Sequence, residues 1–176
     1  MALVPEDRKR AGLVLSMSVR ENLAMASWRR TCPGGWRRLS RELQATREVA
    51  QSLTIRAANL EVPASTLSGG NQQKIAIGKW LLNQPSVLIL DEPTRGVDVG
   101  AKAEIYALVE ELAASGLAVL VVSSELLEVM RLADRVVVMA KGRVVGEESG
   151  PTATEESITR MAFTSPGPDQ QLRGAS

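Results

Sequence analysis

The sequence predicts an α/β fold on a mostly parallel sheet, and two observations carry that prediction. Residues 86–90 and 117–122 are short apolar runs without polar alternation, the pattern of strands buried on both faces of a parallel sheet. Helical segments stand between and after them, and a strand–helix–strand–helix–strand order returns each strand parallel to the last through a crossover. The chain has 176 residues, enough for one domain with a sizeable core.

Taken in order, the first part reads as helical. Residues 18–28 place Val19, Leu23 and Ala26 on one face, and residues 39–53 repeat Leu39, Leu43, Val49, Ala50 and Leu53 with a looser helical period. Pro63-Ala-Ser-Thr-Leu-Ser-Gly-Gly70 is a loop by composition. A helix is predicted over residues 71–82, with Ile77, Trp80 and Leu81 at helical spacing, ended by Asn83-Gln84-Pro85. After the strand at 86–90 comes a helix over 101–114, stopped by Ser115-Gly116. The strand at 117–122 leads to a helix over 124–132 with a serine as its N-cap. Residues 135–139 and 143–145 read as strands across a turn at Ala140-Lys141-Gly142. Thr152-Ala-Thr-Glu155 reads as a capping box opening a short helix to about Phe163. Residues 164–176, rich in Pro, Gly and Gln, read as a disordered tail.

Composition excludes several classes of function. Lys and Arg number 21 against 20 Asp and Glu, so no global charge points to nucleic acid or an anionic membrane. A hydrophobic fraction of 44% and a charged fraction of 23% exclude a wholly disordered chain. The run at 117–122 is the longest apolar stretch, far short of a membrane span, and no apolar secretory segment follows Met1, so a soluble, cytoplasmic chain is expected. With no histidine and only Cys32, a histidine base, an internal disulfide and a Cys/His zinc site are excluded. The charge is unevenly spread: residues 1–60 hold 11 Lys and Arg against 5 Asp and Glu, peaking at Arg29, Arg30, Arg37, Arg38 and Arg41 beside Trp28 and Trp36. A nucleic-acid surface is one reading of that cluster. The arginines keep no repeated spacing with the aromatics, which favours a solvated loop and helix start.

Two motifs carry chemistry. In Ser86-Val-Leu-Ile-Leu-Asp-Glu-Pro-Thr94 an apolar strand ends in two adjacent acids, at the strand end where α/β sheets bind ligands. Adjacent residues of a strand point in different directions, so Asp91 can hold Mg²⁺ through water while Glu92 orients an attacking water. In Leu67-Ser-Gly-Gly-Asn-Gln-Gln-Lys74 two glycines open a helix, letting backbone N–H groups approach an anion, with Ser68 free to cap or to donate to a phosphate oxygen. Each motif by itself has a bland reading, a strand that stops at polar residues and a common loop; together, about twenty residues apart, they do not.

These residues resemble the ABC transporter ATPases. Leu67-Ser-Gly-Gly-Asn-Gln-Gln-Lys74 is similar to their signature motif, Leu88-Ile-Leu-Asp-Glu-Pro-Thr94 to their Walker B segment, Gly96-Val-Asp98 to the D-loop, and Val121-Val-Ser-Ser-Glu-Leu126 to the switch segment. The spellings Glu6-Asp-Arg-Lys-Arg and Asp91-Glu-Pro-Thr-Arg-Gly-Val-Asp-Val-Gly100 resemble the second ATP-binding domain of fused sugar-import ATPases of the ribose/galactose/xylose type, over residues 4–162. The resemblance implies a P-loop NTPase fold over residues 1–163, with an α-helical signature subdomain at about 13–84 and a Walker B and switch part at 85–163.

Departures from the family pattern qualify what the resemblance implies. No Gly-x-x-x-x-Gly-Lys-[Ser/Thr] occurs. In the family that Walker A loop lies upstream of the equivalent of Glu6, so the chain is expected to be truncated before residue 1 and inactive alone. Its strand would stand between those at 117–122 and 135–139, and unpaired edges are expected there. Ser124 occupies the switch position, usually histidine, and Glu6 the Q-loop position, usually glutamine.

By the resemblance, two ATPase domains pair head to tail around shared ATP. Ser68, Gly69, Gly70, Asn71 and Gln72 would form the signature contact to ATP held by the other domain. Asp98 would lie at the interface, and Asp91 (Mg²⁺) and Glu92 (catalytic) would belong to a weaker site. Implied partners are that second ATPase domain, transmembrane permease subunits and, indirectly, a periplasmic sugar-binding protein, with no nucleic acid; the implied location is peripheral on the inner face of the cell membrane. A helix is expected to begin within two residues of Gly69, with both glycines at the surface, so that Ser68→Arg or Gly70→Asp would leave folding nearly untouched. Alternatives are a non-functional or in-trans fragment without ATPase activity, and a soluble ABC ATPase acting on nucleic acid or ribosomes.

Overall fold

In the computed structural model, residues 1–27, 36 and 38–164 are described. The arginine cluster at Arg29, Arg30 and Arg37, together with Trp28, Cys32 and residues 165–176 of the expected tail, lies outside them. The chain forms two units, Met1–Val122 and Ser123–Ser176.

The first unit is built on three parallel strands in the order β1 (Ala2–Val4), β2 (Val87–Asp91) and β3 (Ala118–Val122). The helices of this unit are α1 (Val19–Ala24), α2 (Leu39–Ser52), α3 (Gly69–Leu81) and α4 (Val99–Ala114). Leu88 and Leu90 of β2, Ile75 and Ile77 of α3, Leu23 of α1 and Ile105 of α4 are fully buried and form the core. Helix α3 is its axis, for every residue from Gln72 to Lys79 is buried. Burial on all sides, with Gln72, Gln73, Lys74 and Lys79 included, fits a helix whose polar and apolar residues are not segregated to opposite faces. Arg20 of α1 joins the helical part together: its guanidinium pairs with Glu42 of α2 and with Glu61 of the loop before α3.

Strand β3 has β2 as its single strand neighbour among the described residues. Its alternate residues Leu120 and Val122 are 53% and 49% exposed, so a strand whose sequence reads as buried on both faces is open on one edge and one face. The expectation of an open apolar edge at this strand thus agrees with the structure.

The second unit holds α5 (Leu126–Leu132), the antiparallel pair β4 (Arg135–Ala140) and β5 (Arg143–Ser149), and α6 (Glu155–Thr164). The hairpin turns through Lys141 and Gly142, both at positive φ, which is the geometry that matches the strand twist. Val136, Val138, Ala153 and Ile158 make its small core.

Four details depart from the sequence reading. Residues 2–4 form β1, which no periodicity announced. The first helix stops at Ala24 and continues as a 3₁₀ turn to Ser27. Helix α5 begins at Leu126 behind Glu125 and has no side-chain cap; the Ser123 hydroxyl instead accepts from the Glu125 N–H at 3.0 Å. The reciprocal box before α6 is made by Thr154 and Ser157, each hydroxyl accepting the other's backbone N–H at 3.1 and 3.0 Å, because residues 150–152 form a 3₁₀ turn and Thr154 is the residue that stands before the helix.

Candidate functional site

Helix α3 starts where Ser68 leaves extended backbone, at φ −60° and ψ 158°. The Ser68 hydroxyl accepts from the Asn71 N–H at 3.4 Å and from Asn71 Nδ2 at 3.0 Å. The N–H groups of Gly69 and Gly70 are the first of the helix and find no acceptor within it. The positive end of the helix dipole lies there and favours an anion. Ser68 is exposed, Gly69 half-buried and Gly70 buried.

Both glycines also answer to the chain's own packing. A Cβ on Gly69 would stand 2.9 Å from Arg8 Nη2 and 3.0 Å from the Gly96 carbonyl oxygen. A Cβ on Gly70 would stand 2.5 Å from the Ala101 Cβ, at the first turn of α4. The expectation that both glycines lie at the surface, leaving folding indifferent to Gly70→Asp, is therefore corrected for Gly70: a side chain there meets another helix. Gln72 is buried and turned inward, its Nε2 donating to the carbonyls of Ala64 at 3.2 Å and Leu67 at 3.0 Å, which ties down the loop ahead of the helix. Asn71 Oδ1 accepts from the Arg56 N–H at 2.8 Å.

The acid pair lies at the carboxyl end of β2. Asp91 is its last residue, in register with Val122 of β3. Glu92 leaves the sheet at φ +47°, a left-handed conformation few side-chain-bearing residues adopt, fixed by its N–H donating to the Val122 carbonyl at 2.8 Å and its carbonyl accepting from the Arg95 N–H at 3.1 Å. Both acids are half-buried. Among the described residues no three His, Cys, Asp or Glu side chains form a metal cage. Two carboxylates suit a Mg²⁺ that keeps several waters, not a fully protein-bound ion.

The turn after Glu92 leads to Asp98, which is exposed and caps α4, its Oδ1 accepting from the Ala101 N–H at 3.0 Å. Glu6 forms an ion pair with Arg95 of that turn. Arg8, missed by sequence reasoning, donates from Nη1 to the Arg95 carbonyl at 2.7 Å and from Nη2 to the Gly96 carbonyl at 2.9 Å, and its burial lowers its pKa from the ordinary arginine value. The only trace of it in the sequence is its place inside Glu6-Asp-Arg-Lys-Arg. The structure thus gathers Glu6, Arg8, Gly69, Gly70 and the turn before Asp98 in one place. Ser124 lies in the second unit, exposed, ahead of α5.

The α/β architecture around this site is that of an ATP-binding cassette. A dimeric ATP-binding cassette in a post-hydrolysis state bound to ADP and Pi matches with a TM-score of 0.69 over 86% of this chain and 63% of that one, at 22% identity. A nucleotide-free ATP-binding cassette from an ABC transporter matches with a TM-score of 0.67 over 93% and 65%, at 25% identity.

The chain belongs to the ABC transporter family, whose match spans residues 1–95. It is 53% identical over 164 residues to a ribose import ATP-binding protein of Streptomyces avermitilis, covering 93% of this chain and 31% of that protein. It is 46% identical over 162 residues to a xylose import ATP-binding protein of Geobacillus kaustophilus, covering 92% and 32%. The chain thus spans about a third of the length of the curated relatives it matches.

Proposed function

We propose that this chain is part of an ATP-driven sugar importer and contributes the start of α3 to an ATP held by the phosphate loop of a second ATPase domain. The observation that carries this reading is the helix start capped by the exposed Ser68, beside the turn that bears Asp98. The Ser68 hydroxyl and the first N–H groups of α3 are donors of the kind a terminal phosphate accepts. In this reading residues 1–163 are ATPase domain, residues 13–84 its helical signature part and residues 85–163 its Walker B and switch part. Asn71 and Gln72 serve by holding the loop, and Asp98 meets the partner domain.

The fit to MgATP is divided. The helix start suits a phosphate. Asp91 suits a water-mediated contact to Mg²⁺, which when bound supplies positive charge against the phosphates, and Glu92 suits the orienting of a water. By the family resemblance these two acids belong to the weaker of two unequal sites, and this sequence holds no Gly-x-x-x-x-Gly-Lys-[Ser/Thr] to cradle a nucleotide beside them. Ser124 brings neither a cation nor an imidazole base. Glu6, paired with Arg95, serves the turn ahead of Asp98. The chain alone therefore binds MgATP weakly and does not turn it over. Its further partners are membrane-embedded permease subunits, with a sugar-binding protein reached through them, and its place is the inner face of the membrane. The import proteins among its relatives support the sugar class.

The test mixes the purified chain with a hydrolysis-blocked ABC ATPase domain that carries its own phosphate loop and is loaded with MgATP. The chain docks in an ATP-dependent way, Ser68→Arg abolishes docking, and Glu92→Gln has the milder effect. Docking that survives Ser68→Arg but is lost in Glu92→Gln reverses the assignment of the two sites. Micromolar ATP affinity or turnover by the chain alone overturns it.

A further inference from the structure

We propose that Arg8 is a positioning residue that clasps the start of α3 to the turn leading into Asp98, so that the two are presented as one rigid face. Arg8 opens a single π-helical turn, Arg8–Gly12, just after β1, and Asp7 fixes that turn by accepting from the N–H groups of Lys9 at 3.0 Å and Arg10 at 3.1 Å. Three basic residues follow one another here, yet only Arg8 turns inward: it is 6% exposed while Lys9 and Arg10 are exposed. Its guanidinium reaches two successive carbonyls, those of Arg95 and Gly96. The same Nη2 lies 2.9 Å from the point a Gly69 Cβ would occupy, and the Gly96 carbonyl oxygen lies 3.0 Å from that point.

Three segments separate in the sequence, at Arg8, Gly69 and Arg95–Gly96, therefore meet at one guanidinium. Gly69 lacks a Cβ where Arg8 rests, and Glu6, two residues before Arg8, grips the same turn through the Arg95 side chain. A planar guanidinium fork holds the two carbonyls with two separate nitrogens at fixed spacing; an ammonium has three donors but only one nitrogen on a shorter reach, and it cannot reproduce that spacing. Bonds from a charged donor are about twice as strong as neutral ones. The clasp ties the helix start that carries Ser68 to the turn that carries Asp98. A docking face made of both then meets its partner as one piece, without the loss of freedom that ordering two loose segments would cost on binding.

The functional half of this inference rests on the reading of α3 proposed above, and two measurements keep the two apart. Amide exchange on the chain itself reads the clasp. In Arg8→Met the amides of Val97, bonded to the Thr94 carbonyl, and of Asn71, bonded to Ser68 Oγ, exchange about tenfold faster or more, the factor expected for losing a charge-assisted hydrogen bond. The core amide of Ile105 stays unchanged. Arg8→Lys, which keeps the charge and loses the fork, behaves like Arg8→Met. Unchanged exchange at Val97 and Asn71, acceleration shared equally with Ile105, or full rescue by lysine overturns the clasp. The docking assay then reads its use: Arg8→Met weakens docking about tenfold and leaves ATP binding by the partner domain intact. Docking lost in Ser68→Arg but undiminished in Arg8→Met refutes the functional role of Arg8. Docking intact in both variants refutes the reading of the α3 start, and the exchange pattern alone then upholds or overturns the clasp.

Discussion

The contact between Gly70 and Ala101 permits a quantitative test of how tightly α3 and α4 meet. A Cβ at position 70 would lie 2.5 Å from the Ala101 Cβ, with Val97 Cγ1 at 3.8 Å. Ordinary carbon contacts lie at about 3.5–4.0 Å, so Gly70→Ala forces the two helices apart by about 1 Å. The atom it meets is a methyl fixed to a helix backbone, not the end of a flexible side chain. Overpacking of this kind costs about 1–3 kcal/mol, and the better helix propensity of alanine returns up to about 1 kcal/mol. The single variant therefore loses about 0–3 kcal/mol. The double variant Gly70→Ala/Ala101→Gly removes the opposing methyl and leaves the propensity terms, so the cycle isolates the clash as a coupling of about 1–3 kcal/mol. Urea unfolding of the wild type, both singles and the double measures it. A coupling below about 0.5 kcal/mol, the ordinary limit of additivity, refutes the packing argument. If the coupling is found, loss of docking in any Gly70 variant reports α3–α4 packing as well as ligand contact, and Ser68, which is exposed, is the cleaner probe.

Other substitutions test individual buried groups. Glu128 of α5 is 1% exposed and neither of its carboxylate oxygens has a hydrogen-bond partner among the described residues, so Glu128→Met raises stability by about 1–3 kcal/mol in urea unfolding; a loss of stability would show that the carboxylate is satisfied. The Thr94 hydroxyl is likewise buried and without a partner among the described residues, and Thr94→Val keeps the shape, so it raises stability slightly, by about 1 kcal/mol or less, read as a higher thermal midpoint. The hydrogen bond from Arg20 holds the Glu61 pKa below the usual carboxylate value. A carboxylate with a lowered folded pKa contributes its full stability above the unfolded value and loses it as the pH falls through the folded one. Stability of the wild type therefore falls as the pH drops below the ordinary carboxylate range, partly through Glu61. Glu61→Gln flattens that limb of the midpoint-versus-pH curve; parallel curves for the two proteins would count against the pairing.

What could be read from the sequence follows from which interactions are local. Strands β2 and β3 announce themselves as apolar runs without polar alternation, β3 even though one of its faces is open here. Helix α2 was placed to within a residue at its end, and α3 to within two residues of its observed start, since glycines discourage a helix assignment even where Ser68 caps one. Strand β1 is three residues long and is a strand only because Ala2–Val4 pairs with Leu88–Leu90, more than 80 residues away. Thr152 and Thr154 satisfy the same local pattern before α6, and the choice between them is made by where the preceding 3₁₀ turn ends; a serine is expected to cap α5, but that helix starts at Leu126, behind Glu125, with no side-chain cap. Around the candidate site, Ser68 with its two glycines and Asp91 with Glu92 were legible as chemistry. Arg8 was not, because a basic run looks solvated until the carbonyls of Arg95 and Gly96 are known to lie beneath it. Gly70 was legible as permissive backbone, but its nearness to Ala101 belongs to the packing of α3 on α4.

The open side of β3 bears on how this chain can be handled and kept. Leu120 and Val122 stand beside backbone N–H and C=O groups that have no strand partner on that edge among the described residues, the arrangement by which sheets recruit further strands. An edge of this kind is where a sheet is extended by a further strand or where copies of one chain stick to each other. In the laboratory the same edge sets two aims against each other. A lysine at position 120 would keep concentrated samples from self-associating, and it would do so at the surface where the sheet is open to extension.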